Sequence, residues 1–451
     1  MYINQREVAV SALMEITSDG AYNNIALRKA LARNNALSRQ DKAFVTELVN
    51  GALRNLIYLD YVIGRFSKTK AAKMKPFVLG VLRTAVYQIM FMDKTPDFAA
   101  CDESVKLVKK RGLTGLAPFV NGVLRSVARD KASLGMAESS VEDLCLKYSY
   151  PRWIADYWAE HYGFDITARM CRGLHQAPSV SIAVNTLRTD KASLADALRA
   201  DGVSVRDGLY LDNSLIISGT SDISGLKTFI DGHFFVIDES SMIAAEVLAP
   251  PKGAKILDVC SAPGGKACVL ACLCGDDAEI LAFDIYEHKV WLIEDTLSRL
   301  GVTSVTPLIG DATVFDPALE ESADCVLLDA PCSGLGLIRK KPEIKYRKTM
   351  DDVDELAGLQ RRMLANVSRY VAPGGVLVYS VCTISPRECE DVAEWFTENH
   401  PFEPVPIKGE FDGRPGISTP RQGCLQVLPV SEEVCADAFF IAKFRRRGVR
   451  P

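Results

Sequence analysis

The sequence is poor in histidine, long apolar runs and unbalanced charge, and each shortage removes a class of function. Its five histidines, His161, His175, His233, His288 and His400, show no ligand spacing with one another or with cysteine pairs, which argues against a zinc centre. No apolar run approaches the roughly 20 residues that cross a bilayer, so no membrane association is expected. The N-terminal MYINQREVAVSAL interrupts its apolar residues with charge and has no compact apolar core or small-residue cleavage site. A secretory signal is therefore not expected, and the chain is assigned to the cytoplasm. A formal charge of −4 speaks against nonspecific coating of nucleic acid, so any basic surface must be local. Candidates are Lys106, Lys109, Lys110 and Arg111, then Arg339 to Lys348, then Arg445, Arg446 and Arg447; each also reads as plain solvated surface charge. Internal repeats and low-complexity tracts are absent as well.

What is present is ordinary globular composition, 48% hydrophobic and 24% charged over 451 residues, enough chain for several domains. The thirteen cysteines are scattered without a paired framework and are expected to be reduced thiols. Residues 1–135 carry helical periodicity, with Phe44, Leu48, Ala52 and Leu56 at fourfold spacing and Val45, Val49 and Leu53 beside them. Ser38 is a credible N-cap with Asp41 completing a capping box, and Pro76 opens a further helix. This all-helical domain holds no cluster fit for chemistry, so its role is binding or scaffolding. Residues 141–238 read as a small α+β module, with an aromatic-rich helix over Tyr148 to Tyr162 and strand-like runs at Ser181–Asn185 and Leu209–Leu211.

In residues 239–451 apolar runs alternate with helical stretches, the pattern of a parallel sheet with crossover helices. Strands are expected at 255–259, 279–285, 305–309, 325–329, 375–380 and 439–444, with helices at 287–300 and 351–371. The first of these strands runs into Cys260, Ser261, Ala262, Pro263, Gly264, Gly265 and Lys266, a Gly-rich turn that opens a helix. Glycines let a ligand approach the backbone, and a helix N-terminus favours an anionic group. The spacing is not that of a Walker loop. Asp284 and Asp311 end the next two strands on the edge where open α/β sheets bind ligands. Together with the turn they imply an adenosine-containing cofactor. The following two strands end in Asp329-Ala330-Pro331-Cys332 and in Val381-Cys382-Thr383. Both cysteines stand on the binding edge rather than at core positions, so a nucleophilic role is expected for at least one. Cys101, Cys145, Cys171, Cys325, Cys424 and Cys435 read instead as small buried hydrophobes.

At these motifs the chain resembles the RsmB/Sun family of RNA cytosine-5 methyltransferases, over nearly its whole length. The resemblance rests on Phe235 to Met242, on Cys260 to Lys266, on Asp329 to Tyr346 and on the Cys-Thr pair. It implies a C-terminal α/β, Rossmann-like methyltransferase domain that uses S-adenosylmethionine. It also implies that Cys382 adds to carbon 6 of the base while Cys332 assists product release, with Asp329 bonded to the activated ring. The N-terminus is similar to the NusB-like antitermination-factor fold through Glu103 to Lys110 and Phe119 to Arg125. Within the family that appended domain points to small-subunit ribosomal RNA as substrate, its target base unstacked. No metal and no obligatory protein partner are implied, and a monomer is expected. Ser261 and Ala267 replace the family's usual Ala and Thr, and Arg387 and Cys389 replace an acid and an amide, which puts the groups that orient the nucleophile in question.

Other classes are weaker. A DNA cytosine-5 methyltransferase would use the Pro-Cys cysteine itself as nucleophile, which leaves Cys382 and the helical domain unexplained. An iron–sulfur radical enzyme would need Cys268, Cys272 and Cys274, whose last gap is one residue short of the usual motif. Methylation of tRNA or another RNA, and a noncatalytic RNA-binding assembly factor, are the remaining alternatives.

Overall fold

The computed structural model describes residues 4–220, 222–407, 409 and 411–448. The chain forms two compact units: Met1–His175 with Ile338–Arg347, and Gln176–Leu337 with Lys348–Pro451. Helices from 141 to 175, assigned from sequence to the middle module, thus group with the N-terminal helices.

The first unit is helical. Ser38 caps the helix Arg39–Arg54 in a full capping box with Asp41, and Pro76 opens Pro76–Phe91. Val45, Leu48, Val49, Ala52 and Leu53 lie in a core shared with Leu13, Val81, Leu82 and Val120. Leu56, expected on the same helix as Leu48, begins the next one, Leu56–Phe66. The expected helix over Tyr148 to Tyr162 is broken: Val141–Lys147 stops before the tyrosine, Ser149 takes a φ of 54°, and Pro151 starts Arg152–Tyr162. Proline disfavours helical backbone in the residue before it and lacks the N–H that would continue the earlier helix.

The basic run at Arg339 to Lys348 is only in part a surface patch. Arg339 is 2% exposed and Lys345 is 1% exposed. Arg339 Nε donates to the Gly173 carbonyl at 3.1 Å. Lys345 Nζ donates to the carbonyls of Arg54 and Tyr148, each at 3.0 Å, and lies 4.6 Å from the Tyr150 ring centroid. Tyr346 donates to the Leu53 and Ser149 carbonyls. The segment therefore serves as an internal strut, with Arg339 Nε and Lys345 Nζ bonded to carbonyls at or near helix ends. Lys106, Lys109, Lys110 and Arg111 are exposed as expected.

The second unit carries two sheets. Strands β1 (Val180–Val184), β2 (Ser204–Asp207), β3 (Ser214–Ser218) and β4 (Phe234–Val236) form an antiparallel sheet in the order β2-β3-β1-β4. The run Leu209–Leu211 is not a strand. Its three N–H groups donate to the buried Glu239 carboxylate at 2.9, 2.7 and 2.9 Å, so no donors are left for a ladder.

The larger sheet is built from β5 (Lys255–Val259), β6 (Glu279–Asp284), β7 (Val305–Ile309), β8 (Ala323–Asp329), β9 (Val371–Val381), β10 (Phe402–Pro404), β11 (Ile417–Ser418), β12 (Cys424–Val427) and β13 (Phe439–Arg446). Its order is β11-β12-β13-β9-β8-β5-β6-β7, with β10 beside β13. The pairs from β9 to β7 are parallel and β13 is antiparallel to β9, the layout of a Rossmann-like methyltransferase sheet. The helix expected to reach residue 371 ends at Val367, and Val371 belongs to β9, paired with Ala323. Among the described residues no helix is long and apolar enough to cross a membrane.

Candidate active site at the carboxyl edge of the parallel strands

After β5 the chain turns sharply. Cys260 has a φ of 63°, the Ala262–Pro263 peptide is cis, and Gly264 has a φ of 93° before the helix Gly265–Cys274 begins. A Cβ on Gly264 would stand 3.1 Å from Ile293, and one on Gly265 would stand 3.1 Å from Ile237, so the turn is packed from behind as well as open to a ligand. Ser261 donates its hydroxyl to Asp258 at 2.6 Å. Asp258 is fully buried in β5, and that burial pushes its carboxyl up to about 7 against the opposing Ser261 bond and Lys266 charge. The replacement of the family's usual Ala by Ser261 therefore supplies this carboxyl with a donor.

Beside the turn, a cleft of about 250 Å³ is lined by Val259, Phe283, Ile309, Asp311, Ala312 and Phe315 among others. Asp311 receives the Thr313 N–H and hydroxyl at 2.8 and 2.7 Å. Asp284 is 4% exposed and pairs with Lys289 at 3.2 Å. Apolar walls, an acid at the mouth and a small-residue turn at one end suit the adenosine of a nucleoside cofactor, with its charged tail toward the helix N-terminus.

Lys266 points elsewhere than its place in the Gly-rich turn suggests. Its buried ammonium meets Asp329 Oδ2 at 2.5 Å and lies 5.5 Å from the Phe439 ring centroid. Burial works against this cation, but Asp329 more than offsets it and holds Lys266 above the ordinary lysine range. Asp329 Oδ1 accepts from Ser380 Oγ at 2.8 Å. The acid is thus fixed at both oxygens, by the β5 loop and by β9. Parallel pairing sets Asp329 opposite Ser380, which brings the two loops that follow to the same place: Cys332 and Cys382 have their sulfurs 3.2 Å apart. Both are partly exposed. The Cys332 thiol is held well above its usual range, first by its hydrogen bond with Cys382, then by burial, with the charge of Glu388 adding to both.

Sequence reasoning missed Glu388, Asp258, Ser380 and Gln360. Glu388 is fully buried and receives the Ser333 N–H at 2.7 Å, the Ser333 hydroxyl at 2.5 Å, Gln360 Nε2 at 3.1 Å and the Thr383 hydroxyl at 3.4 Å. Of the two departures around it, one is at the surface and the other in the core. Arg387 is exposed and pairs with Asp354 at 2.5 Å, while Cys389 is a core residue whose thiol approaches the Thr383 carbonyl at 3.6 Å. Cys268 and Cys274 are buried in the apolar core, and Cys272 lies 3.6 Å from Asn185 Oδ1. Cys101, Cys145, Cys171, Cys325 and Cys424 are buried as expected, whereas Cys435 is half-buried and accepts from Arg206 at 2.7 Å. Among the described residues no group of three or more His, Cys, Asp or Glu side chains could hold a metal ion.

A Rossmann-like sheet with a cleft and a Gly-rich turn at its strand ends defines the class of S-adenosylmethionine-dependent methyltransferases. Three family models match the chain: 16S rRNA methyltransferase RsmB/F over residues 245–445, the NusB family over 3–129, and the RsmF/B-like ferredoxin-like domain over 150–224. The chain is 38% identical to the probable ribosomal RNA small subunit methyltransferase B of Bacillus subtilis (strain 168), over 98% of this chain and 99% of that one. It is 32% identical to the Synechocystis protein of the same description, over 98% and 100%. The crystal structure of PH0851 superposes with a TM-score of 0.80 at 27% identity, covering 99% of this chain and 100% of that one. The chain belongs to the RsmB/F family of 16S rRNA methyltransferases, with a NusB-like helical domain and a ferredoxin-like module ahead of the methyltransferase sheet.

Proposed function

We propose that the chain methylates carbon 5 of a specific cytosine in small-subunit ribosomal RNA, with S-adenosylmethionine as methyl donor and Cys382 as nucleophile. The observation that carries the reading is the pair of sulfurs 3.2 Å apart beside an aspartate pinned by Lys266 and Ser380. Carbon 5 of cytosine is too electron-poor to take a methyl group unaided. Addition of the Cys382 thiolate to carbon 6 turns the ring into an enamine. The Cys260–Lys266 turn, the cleft with Asp311, and Asp284 would hold S-adenosylmethionine, whose sulfonium would supply an electrophilic methyl group and a neutral thioether as leaving group.

As the thiolate adds, the ring nitrogen takes up a proton from solvent, and Asp329 accepts hydrogen bonds from that N–H and from the amino group, its fixed orientation making the contact preorganised. Cys332 then assists loss of the carbon 5 proton. As that carbon–hydrogen bond breaks, its electron pair restores the ring double bond and expels Cys382 as thiolate. The helical unit grips the RNA so that an unstacked base is presented.

The test incubates the protein with unmodified small-subunit ribosomal RNA and radiolabelled S-adenosylmethionine. Label is expected in 5-methylcytosine with the wild type and not with Cys382→Ala. Cys332→Ala is expected to accumulate a protein–RNA adduct. An active Cys382→Ala beside a dead Cys332→Ala would reverse the assignment.

A further inference from the structure

Glu388 is a carboxylate with no place in the reaction above, yet it is more deeply engaged than any other acid near the thiols. All its hydrogen bonds come from uncharged donors, Ser333 N and Oγ, Thr383 Oγ1 and Gln360 Nε2. Ser333 directly follows Cys332, and Thr383 directly follows Cys382. Their hydroxyls also meet each other at 2.9 Å. Gln360 extends the grip to the other side of Cys332, since its Nε2 donates to the Pro331 carbonyl at 3.0 Å. Glu388 is itself held in place, because its carbonyl accepts from the buried Tyr379 hydroxyl of β9 at 2.6 Å. Burying a carboxylate without a cation is costly unless its lone pairs are filled, and here four donors fill them. That cost is accepted at one point where a plain apolar residue would pack, and the donors it recruits are the residues adjoining the two thiols.

We propose that Glu388 is a positioning residue that clamps the Pro-Cys and Cys-Thr loops together and so sets the separation of the Cys332 and Cys382 sulfurs. The inference rests on the proposed role of both thiols only for its effect on turnover; the geometric claim stands apart from it. Without the clamp, Cys332 drifts from the adduct and the elimination slows, while cofactor binding is untouched.

The experiment treats the full-length protein with a short bifunctional thiol reagent, dibromobimane, and measures by peptide mass spectrometry the rate of Cys332–Cys382 cross-linking. Glu388→Ala is expected to cross-link at least about tenfold more slowly than wild type. It should also lower kcat by about 10- to 100-fold, with KM for S-adenosylmethionine unchanged. Glu388→Gln keeps the shape, an oxygen for the Ser333 N–H and an amide that can donate to the two hydroxyls. It is expected to stay within about threefold of wild type on both readouts. Should Glu388→Ala lose the native melting transition, Ser333→Ala decides the matter on the same assay, with slower cross-linking expected in a folded protein. Cross-linking at the wild-type rate in a folded Glu388→Ala or Ser333→Ala overturns the clamp. Slowed cross-linking in an enzyme that transfers no methyl to cytosine would instead uphold the clamp and overturn the proposed reaction.

Discussion

Gly336 offers a sharp test of how tightly the Pro-Cys and Cys-Thr loops are set. It follows the Pro-Cys loop, donates its N–H to the Cys382 carbonyl at 3.1 Å and accepts from the Ala438 N–H at 3.2 Å. A Cβ built there would lie 1.9 Å from the Ala438 carbonyl oxygen and 2.9 Å from that of Cys382, where ordinary contact begins at 3.4 Å. Both obstacles are backbone, so no side chain can rotate away. Gly336→Ala must therefore part the Pro-Cys loop from Ala438 by about 1.5 Å and from Cys382 by about half an ångström, the differences between those distances. Overpacking of this kind costs about 1–3 kcal/mol, and each weakened backbone hydrogen bond adds about 0.5–1.5 kcal/mol. With two such bonds, a stability loss of about 2–6 kcal/mol follows. Displacement near 1 Å at a reacting group costs about 10²-fold in rate, so kcat should fall by roughly that factor. Cofactor affinity, which the proposed function assigns to the Cys260–Lys266 turn and the cleft, should hold.

The assay pairs thermal melting with single-turnover methyl transfer and cofactor titration. Gly358→Ala is the control, because its Cβ would meet nothing closer than the flexible Arg362 guanidinium at 3.7 Å. On a helix that change should be neutral or slightly stabilising. If Gly336→Ala melts and turns over like wild type, the packing argument for the two loops is refuted.

Two further expectations concern buried charge. The Asp258 carboxyl, pushed up to about 7 by burial, binds its proton in the folded state where the unfolded chain has released it. Stability therefore falls as pH rises from the ordinary aspartate range through about 7, and Asp258→Asn should remove that fall, a gain of order 1–4 kcal/mol at pH 8 with none at pH 3; equal pH profiles in denaturant titration would refute it. Lys345 is pushed the other way, down to about 7, mainly by burial. Below that pH the folded state bears the cost of a buried ammonium. Above it the unfolded chain still holds the proton up to the ordinary lysine range, so stability should rise with pH across that window, and Lys345→Met should flatten the rise.

What was legible in the sequence was whatever repeats along the chain. Apolar runs of strand length located β5 and β7 to the residue, and the Ser38–Asp41 box and Pro76 marked helix starts, because these signals are local. The acids and cysteines that follow strand ends could be picked out because parallel strands deliver their ends to one edge. Contacts between distant segments had no such signature. Lys345 sits among basic neighbours that suggest solvent, yet the helix-end carbonyls of Arg54 and Tyr148 take it inside. Glu239 and Glu388 carry no local mark of burial in the sequence. Each is buried because a turn or loop remote in sequence turns its N–H groups toward it. Val371 fits a helical period and is claimed by β-pairing with Ala323. A period in sequence reports which face is apolar, not which polar group finds a backbone partner.

The spacing of the thiols bears on which one would attack in the proposed reaction. Two sulfurs 3.2 Å apart cannot both carry charge at modest cost, so the first proton lost belongs to the pair and the second is harder to remove. Asymmetry of surroundings then decides where the charge resides. Cys332 lies in the loop whose next residue donates to the buried Glu388 carboxylate, and its thiol is held well above the usual range, first by the hydrogen bond to Cys382, then by burial. Cys382 is the sulfur whose charge the Lys266 ammonium feels. In the proposed reaction this asymmetry keeps the proton on Cys332 and favours Cys382 as the attacking sulfur. Once Cys382 bonds to carbon 6 in that reaction, the hydrogen bond that does most to raise Cys332 is lost, so Cys332 can give its proton to solvent and then, as thiolate, assist removal of the carbon 5 proton.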